Sequence, residues 1–151
     1  MRRILVTGMS GTGKSSALAE LAQRGFRVVD SDDPGWTVEG DDGGQWWDEQ
    51  RMAQLLVDDG PTLYVSGTVT NQRRFYDRFD AVVLLSAPAD VLLSRIATRE
   101  TNDYGKPLEE RELILGHLRE VEPLLRATCT HEIDATLPLA DVVERLVEIG
   151  S

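Results

Sequence analysis

The residue pattern with the clearest chemistry is the glycine-rich stretch at 8–15, which matches G-x-x-x-x-G-K-[ST] in full. Glycines let the backbone curl so that successive N–H groups point at one anion, and the helix that follows turns its positive end toward the same anion. In this pattern the lysine reaches the β- and γ-phosphate oxygens and the final hydroxyl ligates Mg²⁺. The stretch therefore predicts a site for ATP and Mg²⁺, with the candidate residues Gly8, Ser10, Gly11, Thr12, Gly13, Lys14, Ser15 and Ser16.

Three carboxylates form a second candidate cluster, in the segment Asp30-Ser31-Asp32-Asp33. Asp30 and Asp32 are two residues apart, so in an extended segment their side chains point to the same side. A carboxylate near Mg²⁺ can order the water around the ion, and one near a substrate hydroxyl can orient or deprotonate it. Asp33 competes for either role, and a solvated acidic loop is the structural alternative.

The elements that must position these residues alternate between short apolar runs and helical patterns. The pattern predicts strands at 4–6, 26–29, 62–65, 81–85 and 132–133, helices at 15–24, 45–57, 88–98, 108–127 and 139–149, and a glycine-rich loop at 34–44. Such alternation predicts an α/β fold, a parallel sheet with helices on both faces. Ligands bind at the carboxyl ends of such strands, so the segment 66–68 joins the other two clusters in one crevice. Gly67 and Thr68 are therefore candidates for substrate contact.

Length, charge and cysteine content restrict the class of protein. With 151 residues the chain is predicted to form a single domain, 1–151. A net charge of -10 argues against nucleic acid and anionic membrane as partners, and no apolar run approaches the roughly 20 residues of a membrane helix. The short apolar run at the start leads directly into the glycine-rich loop, whereas a signal peptide would continue apolar and end in small residues. This pattern predicts a cytoplasmic protein. Cys129 is the only cysteine, so an intrachain disulfide is excluded. Independently of this, we expect a monomer or weak dimer.

Motifs beyond the glycine-rich loop resemble one family. The segments 81–88, Arg95-Ile96-Ala97-Thr98-Arg99 and Ile133-Asp134-Ala135-Thr136 are similar to the small P-loop kinases related to adenylate kinase and shikimate kinase. This resemblance spans nearly the whole chain. It implies a three-layer P-loop NTPase fold with a five-stranded parallel sheet of order 2-3-1-4-5, and transfer of the γ-phosphoryl group from ATP.

The resemblance also implies roles around the nucleotide. By similarity, Arg95 stacks on the adenine, Arg99 contacts phosphate, and Asp134 and Thr136 lie beside the adenine. Planar, permanently charged guanidinium groups suit the charge of a transferring phosphoryl group, whereas a solvated helix face is the alternative. The segment 99–107, including Lys106, would be a short lid over the phosphates, or alternatively a surface turn.

On the acceptor side, the resemblance implies a separate role for each of the two aspartates expected on one side of the acidic segment. Asp30 would organise Mg²⁺ together with Ser15, and Asp32 would hold the acceptor hydroxyl. The acceptor-binding segment is expected at 34–58, with Trp46, Trp47 and Arg51 as candidate contacts.

Adjacent tryptophans cannot both face the core from one helix, because successive positions differ by about 100°. One of Trp46 and Trp47 is therefore expected to pack inward and the other to line the acceptor pocket, with Arg51 contacting an anionic group. The alternative is that both rings cover the edge of the sheet.

The end of the third predicted strand bears on the choice of acceptor. It has Ser66-Gly67 where the monophosphate kinases of this group have Asp-Gly. We therefore favour a small-molecule hydroxyl acceptor over a nucleoside monophosphate, without naming shikimate, because the three-glycine run of shikimate kinase is missing. A third hypothesis, of another class, is a nucleotide-binding regulatory module; the predicted lid and the lack of an N-K-x-D pattern argue against it.

Overall fold

The computed structural model describes residues 2–9, 11–41, 43–57, 60–98 and 108–151. Its strands are β1 (Arg3–Gly8), β2 (Arg27–Asp30), β3 (Thr37–Glu39), β4 (Gln45–Trp47), β5 (Leu63–Ser66), β6 (Ala81–Ser86) and β7 (His131–Asp134). Its helices are α1 (Lys14–Gln23), α2 (Glu49–Leu56), α3 (Ala89–Thr98), α4 (Leu108–Glu120), α5 (Glu122–Thr128) and α6 (Leu139–Gly150), with a 3-10 helix at Gln72–Arg78. None of the helices in these described ranges has the length and apolarity needed to cross a membrane.

Five strands form one parallel sheet in the order β2-β5-β1-β6-β7. Counting only the strands of this sheet, the order is 2-3-1-4-5, so the predicted fold and sheet order are confirmed. In register, Ser66 at the end of β5 lies between Val6 of β1 and Asp30 of β2. The glycine-rich loop, the acidic segment and the segment after β5 therefore leave the sheet along one edge, where the sequence predicts a crevice.

Alternation along the strands buries both faces of the sheet. Ile4 and Val6 of β1 pack in a cluster with residues of α1, α5 and α6, whereas Leu5 packs with residues of α2 and the 3-10 helix. Each such side chain contributes about 2 kcal/mol when it is fully buried. The ends of the central strands are thus anchored from both sides, which gives the loops that follow them a rigid base.

The predicted helix at 45–57 is wrong in its first turn, and the predicted loop at 34–44 contains a strand. Residues 45–47 form β4, which pairs antiparallel with β3. The hairpin reverses with Gly43 at a φ of 79°, a conformation that favours glycine, and Gly40 N–H donates to Gly44 O at 2.8 Å. Aromatic residues suit a pleated, half-buried strand, and α2 begins only after Asp48, whose carboxylate accepts from Arg51 N as an N-cap.

The predicted helix at 108–127 is divided in two at Val121. Pro123 lies in the first turn of α5, where it has no N–H to donate and its ring would clash with a preceding carbonyl in a continuous helix. The chain turns there, and α5 packs Leu125 against the sheet.

Candidate active site

The glycine-rich loop leaves β1 and turns directly into α1. Gly8 has a φ of 150°, and a Cβ on it would come within 2.5 Å of the carbonyl oxygen of Leu85 on the neighbouring strand. Gly13, with a φ of 90°, is the N-cap residue of α1. Thr12 is buried, and its hydroxyl donates to Met9 O at 2.8 Å, which tightens the turn. The loop is thus held in a compact curve at the positive end of α1, with Ser16 exposed in the first helical turn.

The Lys14 ammonium lies inside this curve. Its Nζ donates to the carbonyl oxygens of Gly8 at 2.6 Å and Met9 at 3.2 Å. Burial lowers the pKa of Lys14 from 10.5 to about 8, while the nearby charges of Asp32 and Asp30 act to raise it. A poorly solvated ammonium bound to two carbonyls is a cation that an incoming phosphate can recruit.

The two aspartates predicted to act together are next to each other and to the loop, but the expected extended segment is wrong, because the chain turns after Asp30 with Asp33 N–H donating to Asp30 O at 3.0 Å. Ser15 Oγ donates to Asp30 Oδ2 at 2.7 Å, and the backbone N–H of Asp32 donates to Asp30 Oδ1 at 3.0 Å. Burial and the charge of Asp30 raise the pKa of Asp32, Lys14 opposes the rise, and Asp33 adds to it. Asp32 is therefore a stronger base than an ordinary aspartate, close to the lysine of the phosphate loop.

The Ser15–Asp30 pair fits Mg²⁺ by the chemistry of its donors. A hydroxyl and a carboxylate oxygen are hard ligands, and Mg²⁺ is usually held by one or two such groups together with waters and substrate phosphates. No group of three or more His, Cys, Asp or Glu side chains that could hold a metal ion by itself occurs in the part of the chain that the structure describes. A shared protein–phosphate site is thus the arrangement that these residues suit.

The segment after β5 supports the phosphate loop from behind. Thr68 Oγ1 donates to Gly8 O at 2.5 Å, accepts from Gly8 N at 3.2 Å and lies 3.2 Å from Thr7 Oγ1. Buried Gln72 continues the network, because its Nε2 donates to Thr7 Oγ1 at 3.1 Å and its Oε1 accepts from Val69 N at 2.9 Å. Thr68, predicted to contact substrate, uses its hydroxyl here to hold the first glycine of the loop.

The two tryptophans have separate environments, on a strand and not on a helix. Trp47 is buried, and its Nε1–H donates to Ser31 Oγ at 2.9 Å. Trp46 packs its ring onto Gly40, and the guanidinium carbon of Arg74 lies 4.9 Å from the ring centroid. Trp47 is the ring that packs inward, and it touches the serine between the two aspartates, whereas a place for Trp46 in the acceptor pocket stays a prediction.

Arg51 organises the segment that follows the aspartates. Its guanidinium donates to Gly35 O at 2.8 Å and lies 4.2 Å above the ring of Trp36. An open depression of about 330 Å³ separates that tryptophan from α1; Ser15, Leu18, Val28, Asp30, Asp33 and Trp36 are among its lining residues. Arg51, predicted to contact an anionic group of the acceptor, is thus engaged with its own chain.

Arg95 joins the phosphate loop to the loop after β7. Its guanidinium donates to Ala135 O at 2.6 Å and to Gly11 O at 3.3 Å. In the same loop Asp134 Oδ1 accepts from Thr136 Oγ1 at 2.6 Å and from Thr136 N at 2.8 Å, and these bonds lower the pKa of Asp134. The three residues predicted to surround the adenine are therefore brought together beside the glycine-rich loop.

Four predictions lie outside the described residues: Ser10, Arg99, Lys106 and the lid at 99–107. Conversely, sequence reasoning missed Ser31 and the pair Asn71-Gln72, all buried polar residues at the site. Their signal was positional, because each lies within a few residues of a strand's carboxyl end. Buried amides and hydroxyls of this kind have no motif, so their hydrogen-bond partners could not be assigned from sequence.

The sequence is similar to one protein family and to two curated kinases. The sequence profile of a family described as AAA domain matches residues 4–116, about three quarters of the chain. Shikimate kinase 2 of Yersinia enterocolitica is 29% identical over 165 aligned positions, covering 97% of this chain and 94% of that protein. A provisionally named adenylate kinase of Archaeoglobus fulgidus is 28% identical, covering 97% of this chain and 80% of that protein.

Among solved structures, the shikimate kinase of Acinetobacter baumannii in complex with shikimate superposes with a TM-score of 0.70 at 20% identity. The match covers 99% of this chain and 92% of that one. At this identity the superposition shows a shared fold.

Proposed function

This chain belongs to the AAA-domain family of P-loop proteins, and from that premise we propose that it is an ATP-dependent kinase with a small-molecule hydroxyl as its acceptor. The observation that carries the proposal is the grouping of Lys14, Ser15, Asp30 and Asp32 at one edge of the sheet. A phosphate cradle, a pair of metal-binding oxygens and a carboxylate base are the parts that phosphoryl transfer to a hydroxyl requires.

In the proposed reaction the loop amides and Lys14 hold the β- and γ-phosphates of ATP. Asp32 accepts the proton of the acceptor hydroxyl while that oxygen bonds to the γ-phosphorus. The bond from the γ-phosphorus to the β–γ bridging oxygen breaks, and ADP leaves. Mg²⁺, held by Ser15 and Asp30, would neutralise charge on the β- and γ-phosphates. The raised pKa of Asp32 supports this role, because it makes the carboxylate a better proton acceptor.

A hydroxyl acceptor is favoured over a nucleoside monophosphate by the residue at the end of β5. Ser66 stands where the monophosphate kinases of this group have an aspartate, so the acceptor side lacks that carboxylate. The carbonyl oxygen of Ser66 accepts from Ser31 N and Ser31 Oγ, so that β5 braces the acidic segment. The carboxylates on the acceptor side come from Asp30 and Asp32, in the spacing that resembles shikimate kinase. The two curated relatives, a shikimate kinase and a provisional adenylate kinase, have nearly equal identity to this chain.

The proposal is tested by ADP release with ATP, Mg²⁺ and a panel of sugars, polyols, cyclic hydroxy acids, nucleosides and nucleoside monophosphates. We expect stimulation by a hydroxyl compound and loss of turnover in Lys14→Ala. Stimulation only by a monophosphate would replace the hydroxyl acceptor with the second hypothesis. Tight ATP binding without stimulation by any acceptor would favour the regulatory module.

The predicted monomer or weak dimer and the cytoplasmic location stay predictions within this proposal. Sedimentation velocity at micromolar concentration would test the first, and fractionation of the source cells would test the second.

A further inference from the structure

A buried hydrogen-bonded bridge lies directly behind the two aspartates. Trp47 Nε1–H donates to Ser31 Oγ at 2.9 Å, and Ser31 Oγ–H in turn donates to Ser66 O at 2.6 Å. The backbone N–H of Ser31 donates to the same carbonyl at 3.0 Å. All three residues are at most 1% exposed. We name Trp47, Ser31 and Ser66 the Trp47–Ser31 bridge.

The bridge fixes the residue that separates Asp30 from Asp32. The chain turns directly after β2, where Asp33 N–H donates to Asp30 O at 3.0 Å, and the buried Ser31 holds the start of this turn against the sheet. Asp30 then meets Ser15 Oγ at 2.7 Å, and the N–H of Asp32 meets Asp30 Oδ1 at 3.0 Å. A rotation that released Ser31 would move both carboxylates together.

Room for the bridge depends on Gly67. A Cβ at this position would overlap Ser31 Oγ and would lie 3.3 Å from Trp47 Nε1. The residue after β5 must therefore lack a side chain for the Ser31 hydroxyl to sit between the strand end and the indole. This explains the glycine without a direct contact to substrate.

Trp47 is itself held from two sides. Asn71 Oδ1 accepts from Trp47 N at 2.8 Å, and Asn71 Nδ2 donates to Trp47 O at 3.1 Å. The ring packs edge-on against Phe75, with the centroids 5.7 Å apart. A hydrogen bond from such a fixed indole constrains Ser31 far more than one from a mobile side chain would.

We propose that Trp47 and Ser31 are positioning residues for phosphoryl transfer, holding Asp30 and Asp32 in the geometry needed for metal organisation and proton acceptance. This inference rests on the proposed kinase function. It assigns Trp47 a role through Ser31, in place of contact with the acceptor. Groups that orient metal-binding and catalytic carboxylates from behind commonly change metal affinity or activity by 10-fold or more when they are removed.

The test compares Ser31→Ala with the matched control Tyr64→Phe. Each removes one buried hydroxyl that donates to a main-chain carbonyl, Ser66 O at 2.6 Å and Leu146 O at 2.8 Å respectively. Tyr64→Phe should lower Tm by about 3 °C, and Ser31→Ala by about 6 °C because it also leaves the buried Trp47 Nε1–H without its acceptor. Ser31→Ala alone should lower kcat about tenfold and raise the Mg²⁺ concentration for half-maximal ATP binding about tenfold, with the acceptor KM changed less than about twofold.

A second pair of variants tests the bridge by its geometry. Gly67→Ala should lower kcat because its methyl group displaces Ser31 Oγ. In the Ser31→Ala background that hydroxyl is missing, so adding Gly67→Ala should change kcat by less than about twofold. Independent, multiplicative effects of the two substitutions would mean that Gly67 acts on substrate directly, and would overturn the proposal.

Equal kcat and equal Mg²⁺ dependence in Ser31→Ala and Tyr64→Phe would also overturn it, since the bridge would then serve folding alone. Failure of the kinase proposal has a different signature: the unmodified protein shows no acceptor-dependent turnover. In that case the Mg²⁺ dependence of ATP binding, measured by calorimetry, still decides whether the bridge positions Asp30.

Discussion

ATP binding should take up protons on the alkaline side of neutrality, because Lys14 is partly uncharged in the nucleotide-free protein. Its burial among the carbonyls of the loop lowers its pKa from 10.5 to about 8, while the negative charges of Asp32 and Asp30 act to raise that pKa. A triphosphate beside the amine favours the charged form and should return the pKa toward its ordinary value. Binding therefore protonates the fraction of Lys14 that was neutral.

The size of this effect follows from the pKa. With a pKa of about 8, the neutral fraction of Lys14 is about 0.1 at pH 7, about 0.5 at pH 8 and about 0.9 at pH 9. Proton uptake per bound ATP should follow these values. Because only the charged form binds phosphate well, the affinity for ATP should fall about fivefold between pH 8 and pH 9.

Isothermal titration calorimetry of Mg·ATP binding measures the uptake directly. At pH 8.5, the observed enthalpy is plotted against the ionisation enthalpy of several buffers, and the slope is the number of protons taken up. Lys14→Arg is the control, since a guanidinium stays charged throughout this range and should bring the slope to zero. A zero slope in the unmodified protein, or an equal slope in Lys14→Arg, would refute the assignment of a low pKa to Lys14.

Three further predictions concern the base and the support of the loop. Asp32→Asn should retain ATP binding but lower kcat at least about 100-fold, and the acid limb of the kcat/KM profile, expected above the usual pKa of an aspartate, should disappear. Gln72→Leu should lower the free energy of unfolding by about 2 kcal/mol in urea titrations, since Val69 N–H loses its acceptor, and ATP should bind more weakly. Gly8→Ala should abolish ATP binding in equilibrium dialysis, because its methyl group meets Leu85 O. A Cβ at Gly13 meets open space, so Gly13→Ala should weaken ATP binding by only about 1 kcal/mol. Equal losses of ATP affinity in the two variants would contradict this account.

The fold and the shape of the glycine-rich loop are largely local in origin, and this is why they were predictable. The motif at 8–15 specifies its own backbone shape through Gly8 and Gly13, and short apolar runs specify the strands that precede each polar cluster. Parallel strands then bring their carboxyl ends to one edge, so the proximity of Lys14 to Asp30 and Asp32 followed from the order of elements.

Errors arose where contacts distant in sequence decided the local conformation. Residues 45–47 have a helix-compatible pattern, yet Asn71 binds both the N–H and the carbonyl of Trp47 and holds the segment as a strand. The break before α5 is a partial exception, since Pro123 was visible in the sequence and its effect was underestimated.

The sequence by itself thus determined which chemical groups the site offers, because the glycines, the lysine and the carboxylates carry their chemistry in their type and spacing. Only the tertiary structure decided which residues hold those groups in place. Ser31, Trp47 and Gln72 each make a side-chain hydrogen bond to a partner 16 to 65 positions away, and such pairings exist only once the strands have assembled. Buried polar groups must find partners wherever the fold supplies them, and the fold supplies them without regard to sequence distance.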